Sequence, residues 1–443
     1  MKKCIIYILF LLAAISLKAQ DTIPNFPKPK PILTAQDAVK IALENNYDIR
    51  ISRNNLRIDK TNVTLGNAGI LPAATANITN NNSLQNSSQT KSDGTTTNLD
   101  NAKANSLNYG VSLGWTIFDG FGMFARYDQL KELKRLGDAQ LQLAILSKVG
   151  DVANTYYNIV QQQQVLASLD STLVISRQRV TLAQNRFTIG KASKLEVLNA
   201  KVDLNTDETS MLRQKELYAN TKIQLNEILA RDTKTDFVVS EEFTVDDKLL
   251  LPELETLAQK QNPSLQAQEI NKRVAELQLK AVRAQRYPTV SLNGGYNFAK
   301  SESSLGFTTQ TSAHGLTYGF GASLNIFNGL NQNRLEKVAK LQIENSKILI
   351  EQQNEAVLSQ LGTAYQTYLT NLTLVDLEAK NEEIARENLD ITMDKYRIGT
   401  ITTLEYRTAQ LNYLNAQVRH SEAKYNAKIS EISLRELAGN LSF

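Results

Sequence analysis

Cysteine is almost missing: Cys4 is the only one in 443 residues. It lies in a leader-like start, where Lys2 and Lys3 precede an apolar run at 5–15 and Leu17-Lys18-Ala19 offers small-residue cleavage before Gln20. That pattern is a secretory signal peptide over residues 1–19, and its apolar core is too short to span a bilayer. Cys4 comes before the apolar run, so it does not mark a lipid-acceptor site. The mature chain then has no thiol, no disulfide and no cysteine ligand. Histidine is nearly as scarce, with only His314 and His420. Metal centres and hydrolytic triads lack parts, no phosphate-cradling glycine loop is present, and the chain reads as a non-enzyme without cofactor.

An excess of one charge is also missing. Without Lys2, Lys3 and Lys18, 46 basic residues face 45 acidic ones, which argues against nucleic acid as a partner. After residue 19 no stretch approaches the roughly 18 apolar residues of a spanning helix. If this chain crosses a membrane, strands must do it. Proline is confined as well: Pro24, Pro27, Pro29 and Pro31 fall in an extended leader at 20–33, and none occurs in 121–251 or 330–443.

What is present comes twice. Leu71-Pro72 returns as Tyr287-Pro288, 216 residues on, and the same offset carries Asn46 to Asn262 and Ile49 to Leu265. Ile117-Phe118-Asp119-Gly120 returns as Ile326-Phe327-Asn328-Gly329, 209 residues on. That offset then holds, so that Arg186-Phe187-Thr188-Ile189-Gly190 matches Lys395-Tyr396-Arg397-Ile398-Gly399, and Leu195-Glu196 matches Leu404-Glu405. The change of offset places a longer loop in the first copy. The spacing predicts one copy over 34–230 and another over 253–443, joined by an irregular linker at 231–252.

Each copy reads helix, hairpin, very long helix, turn, helix. Pro72 and Pro288 each end a helix and open a strand, because the residue before proline is pushed out of the α region. Asn262-Pro263 is an N-cap followed by proline at the first helical position. The long helices are expected over 121–189 and 330–398, rods of roughly 100 Å at 1.5 Å per residue. Apolar residues recur at spacings of three and four, as in Val149, Val152, Tyr156 and Ile159, which is coiled-coil-like packing. The glutamine run at 161–164 reads as a solvated face. Return helices are expected over 192–230 and 403–438, and shorter helices over 47–70 and 263–286.

The segment 107–117 alternates strictly, with Leu107, Tyr109, Val111, Leu113, Trp115 and Ile117 set against small or polar neighbours. The second copy repeats this with Leu316, Tyr318, Phe320, Leu324 and Ile326. Hairpins are expected over about 73–118 and 289–327, with a polar extracellular loop at 81–106. Strands of this length suit a tilted membrane crossing. Tyr109, Val111, Leu113, Trp115, Tyr318, Phe320 and Leu324 would face lipid, and the hydroxyls and glycines a water-filled lumen. Four strands cannot close a barrel, which needs about eight or more, and open edges are not tolerated in lipid. The functional unit must then be an oligomer. The fold class is mainly α with membrane β.

Two motifs, Arg186-Phe187-x-x-Gly190-x-x-x-x-Leu195-Glu196 and Lys395-Tyr396-x-x-Gly399-x-x-x-x-Leu404-Glu405, resemble the TolC family of outer-membrane efflux proteins, as does the layout of the whole mature chain. The resemblance implies a homotrimer with a twelve-stranded barrel in outer-membrane lipid and a long α-helical tunnel reaching into the periplasm. It also implies docking to a periplasmic adaptor and an inner-membrane transporter, as the exit duct of an efflux or secretion system. By resemblance Glu196, Tyr396 and Glu405 belong to a gate at the periplasmic tip, and Arg186, Phe187, Gly190, Lys395 and Gly399 to turns that contact the adaptor. Read locally, Ser193-x-x-Glu196 and Thr402-x-x-Glu405 are capping boxes that open the return helices. Ile401 stands where the family's latch arginine is expected, with Arg397, Lys191 or Lys194 as possible substitutes. The competing readings are a periplasmic adaptor and a structural coiled-coil protein of the envelope. Both leave the duplicated amphipathic strands unexplained.

Overall fold

The computed structural model describes residues 31–240, 243–304 and 308–441, so the signal peptide and most of the leader lie outside it. In chain order the elements are β1 (Ile32–Leu33), α1 (Ala35–Asn45), α2 (Tyr47–Asn62), β2 (Ala73–Thr90), β3 (Thr96–Asp119), α3 (Gly122–Thr188) and α4 (Lys194–Ile228). Then follow β4 (Val238–Val239), α5 (Leu251–Gln261), α6 (Pro263–Ala284), β5 (Thr289–Ser303), β6 (Gln310–Ser323), α7 (Asn331–Ile398) and α8 (Thr403–Leu437). The long helices α3 and α7 have 67 and 68 residues. α3 coils with α4, α7 coils with α8, and contact between α3 and α8 joins the two pairs. At the other end α2 lies on α3, and α6 wedges between α3 and α7.

Matched positions carry matched local chemistry. Asn46 and Asn262 each cap the following helix with the side-chain oxygen, while Nδ2 donates to a carbonyl of a return helix: Ile228 for Asn46 and Leu437 for Asn262, both at 2.8 Å. One amide side chain thus satisfies orphan groups of two helices. Left-handed backbone recurs 209 residues apart, at Phe121 and Leu330 (φ 68° and 63°), Gly190 and Gly399 (75° and 88°), and Ala230 and Gly439 (50° and 76°). Phe121 and Leu330 take a conformation that strains any side chain, immediately before the long helices begin. Two apolar cores lie where the return helices end. One gathers Ala42, Val152, Tyr156, Leu225 and Phe237, and the other gathers Ala258, Leu361, Tyr368 and Leu434.

Several expectations change. The first short helix stops at Asn62 rather than near 70, because the chain turns through Gly66 and Gly69, the latter at φ 79°. The segment at 81–106 is not a loop: β2 and β3 continue as a paired ribbon to a turn at 91–95, with a bulge between Gln85 and Ser87. Strand β6 ends at Ser323, so Leu324 and Ile326 lie past it. Among the described residues β6 pairs with β5 alone, whose first residue, Thr289, pairs with Ser323 and follows Pro288, which has no N–H to extend the ladder. The glutamines at 161–164 do not form a solvated face. Gln162 is buried and donates to Thr221 on α4 at 3.0 Å, and Gln164 accepts from Ser421 on α8 at 2.6 Å.

Glu436, in the last turn of α8, is half-buried against α3. Gly150 leaves the space, since a Cβ there would stand 2.7 Å from Oε2. Burial, and after it the Asp151 carboxylate, raise its pKa above the ordinary 4.5. Above pH 4.5 the unfolded chain loses this proton first, so the group's stabilising contribution is complete below that pH and lost as pH rises through the folded value. Glu436→Gln should therefore raise the unfolding temperature at pH 8, with the gain over wild type vanishing under acid conditions. Thermal melts across pH would refute this if the gain were constant.

Candidate channel tip and membrane face

The order of the sheet is β2-β3-β5-β6, all antiparallel. Register carries the alternation across every strand, because residues opposite one another share a face. One face stacks rows such as Ile78, Tyr109 and Phe298; Val111, Tyr296 and Leu316; Leu113 and Tyr318; and Trp115, Leu292 and Phe320. The Tyr109 and Phe298 rings stack at 4.8 Å. The opposite face carries Thr75, Ser112, Gly295 and Thr317 in one row, with the Thr75 and Ser112 hydroxyls 2.8 Å apart. Ile117 is the extra residue of a bulge between Thr116 and Phe118, and the strict alternation ends there. Trp115 turns its indole N–H to the Ile70 carbonyl at 2.8 Å, tying the sheet to the segment that enters it. Among the described residues, β2 and β6 have one free edge each. Among the described residues no helix is long and apolar enough to cross a membrane.

At the far end of the helices the two turns have the same sequence pattern but different chemistry. In the second, the capping box is complete: Glu405 N–H donates to Thr402 Oγ1 at 3.3 Å, and Glu405 Oε2 accepts from the Thr402 N–H at 2.8 Å. In the first, Ser193 caps Glu196 N–H at 3.3 Å, but the Glu196 carboxylate turns away. It accepts from the Tyr396 hydroxyl at 2.9 Å, and Arg186 Nη1 stands 3.6 Å from the same oxygen. Only half of the expected capping box forms there, since a buried tyrosine outcompetes the local amide.

Tyr396 is 1% exposed and stacks on Tyr406 at 5.0 Å. Burial, and then the Glu196 carboxylate it donates to, push its pKa up, so it stays protonated as a donor. The Arg186 guanidinium lies 5.3 Å from the ring centroid. Ile401 packs among Leu389, Tyr396 and Tyr406. Arg186, on α3, thus stands between the Glu196 carboxylate and the Tyr396 ring. Lys395 contributes its carbonyl, which accepts from the Gly399 and Thr400 amides and closes the turn. Phe187, Ile189, Leu195, Ile398 and Leu404 are exposed around the tip.

Sequence reasoning missed a buried ionic cluster joining α3, α4 and α8. Arg407 donates to both oxygens of Asp207, at 2.7 and 2.8 Å, and both residues are buried. Ser176 also donates to Asp207 at 2.5 Å, and Gln410 reaches Ser176 at 2.8 Å and the Thr172 carbonyl at 3.2 Å. Arg179 pairs with Asp203. The one sequence signal is Asp203 and Asp207, which share a face of α4 at i, i+4.

A sheet with an apolar outer face, set on helices of about 100 Å, defines a membrane-channel protein that crosses the bilayer by strands. A family model described as outer membrane efflux protein matches residues 38–231 and 254–440. The chain belongs to the outer membrane efflux protein family, and it is an outer-membrane channel protein for export. The outer membrane protein TolC of Vibrio cholerae is 22% identical over 322 residues, covering 71% of this chain and 73% of that protein. The toluene efflux pump outer membrane protein TtgC of Pseudomonas putida is 23% identical over 426 residues, covering 91% and 82%. The fold matches the crystal structure of the Campylobacter jejuni CmeC outer membrane channel with TM-score 0.75 at 17% identity, covering 91% of this chain and 85% of that one.

Proposed function

We propose that three copies of this chain form a closed duct from periplasm to exterior, docked to a periplasmic adaptor and an inner-membrane transporter. The free edges of β2 and β6 carry this reading, because unpaired backbone is not stable in lipid and four strands cannot close alone. Three four-stranded sheets would supply a twelve-stranded barrel. The helices support the same arrangement. Contacts order them α4-α3-α8-α7, and the outermost two expose Val202, Leu212 and Leu217 on α4, and Leu341, Ile348 and Ile384 on α7. Apolar faces of that extent require neighbours.

The tip then works as a gate. Tyr396 and Glu196 join the second hairpin to the first, with Arg186 neutralising the carboxylate. Phe187, Leu195, Ile398 and Leu404, around the Gly190 and Gly399 turns, form the apolar rim for the adaptor. Glu405 is occupied as a cap, and its part in the gate is to hold the start of α8. The test is mass measurement of the detergent-extracted protein with and without heating. A trimer that loses its strand signal on dissociation is expected. A stable monomer with full strand content would overturn the reading.

A further inference from the structure

We infer that the joint between neighbouring copies repeats the joint inside one chain, so that β6 of one copy pairs with β2 of the next in one fixed register. Leu324 then stands opposite Ala76, Ser323 opposite Asn77, and Gly319 opposite Asn81. This register rests on the duct reading, in which copies join through these two edges, and adds which residues meet.

The two hairpins share one internal register. Moving β2 by 216 residues and β3 by 209, the offsets of the sequence repeat, turns the pair Ala73 and Gly114 into Thr289 and Ser323, which are paired in β5 and β6. The same shifts turn Asn80 and Leu107 into Tyr296 and Leu316, which are also paired. Inside the chain β3 meets β5, with Trp115 opposite Leu292, Gly114 opposite Asn293 and Gly110 opposite Asn297. The β3 edge of this joint has its equivalent in β6 and the β5 edge in β2, the two edges unpaired among the described residues. Applied to the inner joint, the two shifts give the outer one.

Residues 115–119 of β3 lie beyond the first residue of β2, and β5 alone holds them as strand. Their equivalents, 324–328, lie beyond the first residue of β5, keep the alternation, and are not strand. The next copy supplies what β5 supplies to β3, with Asn325 opposite Thr75, Ile326 as the bulged residue and Phe327 opposite Ala74. Gly319 points to the same neighbour. At its equivalent, Gly110, a Cβ would stand 2.5 Å from the Tyr296 carbonyl oxygen and 2.9 Å from the Asn297 Cα, so β5 comes too close for a side chain. At Gly319 a Cβ would meet nothing within 4 Å among the described residues. The glycine answers no contact of its own chain, and Asn81 is the equivalent of Asn297.

The faces agree as well. Ala322 opposite Ile78 and Leu316 opposite Leu84 continue the apolar face, while Gly321 opposite Thr79 and Thr317 opposite Ser83 continue the polar one. A slip of one residue would set apolar side chains on the polar face. A slip of two would not, and there the repeat decides. The helices follow the same operation: α3 packs on α8 inside the chain, so α7 packs on α4 of the next copy. That contact covers Ile384 and Ile391, which are exposed, whereas their equivalents Ile175 and Leu182 lie in the cluster of Tyr396 and Tyr406.

Paired cysteines test the register in a Cys4→Ser chain, which has no other thiol. Ser323→Cys is combined with Asn77→Cys, Thr75→Cys or Thr79→Cys, and outer membranes are oxidised and run on a denaturing gel. Residues directly opposite stand about 4.5–5.5 Å apart, within disulfide reach, and an offset of two puts them about 7–8 Å apart, beyond it. The Asn77 pair should shift most of the protein to about two and three times the mass of one chain, a shift lost in the other two pairs and in Asn77→Cys alone. Gly319→Val should also lower the yield of heat-resistant oligomer, and Gly315→Val, whose equivalent is Ser106, should keep it. Equal yields from those two would overturn the close approach at Gly319. A strongest cross-link at Thr75 or Thr79 would overturn the register while leaving the duct reading intact. No cross-link at any pair, in protein whose unoxidised form is oligomeric, would overturn the β6–β2 joint. An unoxidised monomer would instead overturn the duct reading, and the register with it.

Discussion

Arg407→Met should destabilise the protein by about 3–5 kcal/mol, the cost of leaving a buried carboxylate without its cation. Asp207 would keep Ser176 as its donor, and one hydroxyl cannot offset a charge in that setting. Asp207→Leu should cost a similar amount from the other side. The double variant should recover most of the loss, because two apolar residues of similar volume can replace a buried ion pair at little or no cost. Denaturant unfolding followed by helical signal, arranged as a double-mutant cycle, measures the coupling. If Arg407→Met alone changes stability by less than about 1 kcal/mol, the pair is hydrated like a surface bridge and does not hold α8 to α4. The cluster is set back from the turns, so the same variants should also raise single-channel conductance if the two hairpins separate when it is lost.

The second large effect separates the two faces of the sheet. Phe320→Arg puts a charge on the apolar face, where the cost is about 2–4 kcal/mol at the bilayer midplane and falls toward the interface. Thr317→Arg stands on the opposite face, in the row with Gly295, Ser112 and Thr75. It should leave the yield of heat-resistant oligomer intact and change the current instead. Trp115→Arg is a less clean test, because it also removes the hydrogen bond to Ile70. Equal damage from Phe320→Arg and Thr317→Arg would mean that neither face meets lipid.

Local signals in the sequence were enough for the helices. Pro288, Gly190 and Gly399 act through their own backbone, and the helix ends beside them fall within a few residues of where those positions put them, whereas the helix before Pro72 ends early, at Asn62. The upper part of β2 and β3 was not legible. Its asparagines and serines have neither alternation nor strand preference, and it is cross-strand pairing, from Asn81 with Ser106 through Leu84 with Lys103 to Thr90 with Thr96, that makes them strands. The tip was legible in outline alone. Ser193-x-x-Glu196 and Thr402-x-x-Glu405 are equivalent as local motifs, and a contact with Tyr396, 200 residues from Glu196, breaks the equivalence. Asp207 and Arg407 are likewise 200 residues apart and belong to no motif, so only the packing of α8 on α3 and α4 brings them together. Arg186 stood inside a recognised motif, but nothing in its spacing says that it turns inward to Tyr396.

Trp115 is the single tryptophan of the chain, and its indole is held by one hydrogen bond at the junction of sheet and helices. The protein is therefore a one-fluorophore system whose reporter is built in at the point where a strand leaves the bilayer. An indole half in lipid and half hydrogen-bonded emits at a wavelength set by that boundary, and tyrosine light is easily filtered from it. Insertion of the sheet into lipid can be timed on the unmodified protein by the blue shift of this one ring. Bilayers carrying brominated acyl chains at known depths would quench it and give its height in the membrane. A label is needed only to follow the helical tip, about 100 Å away along α3.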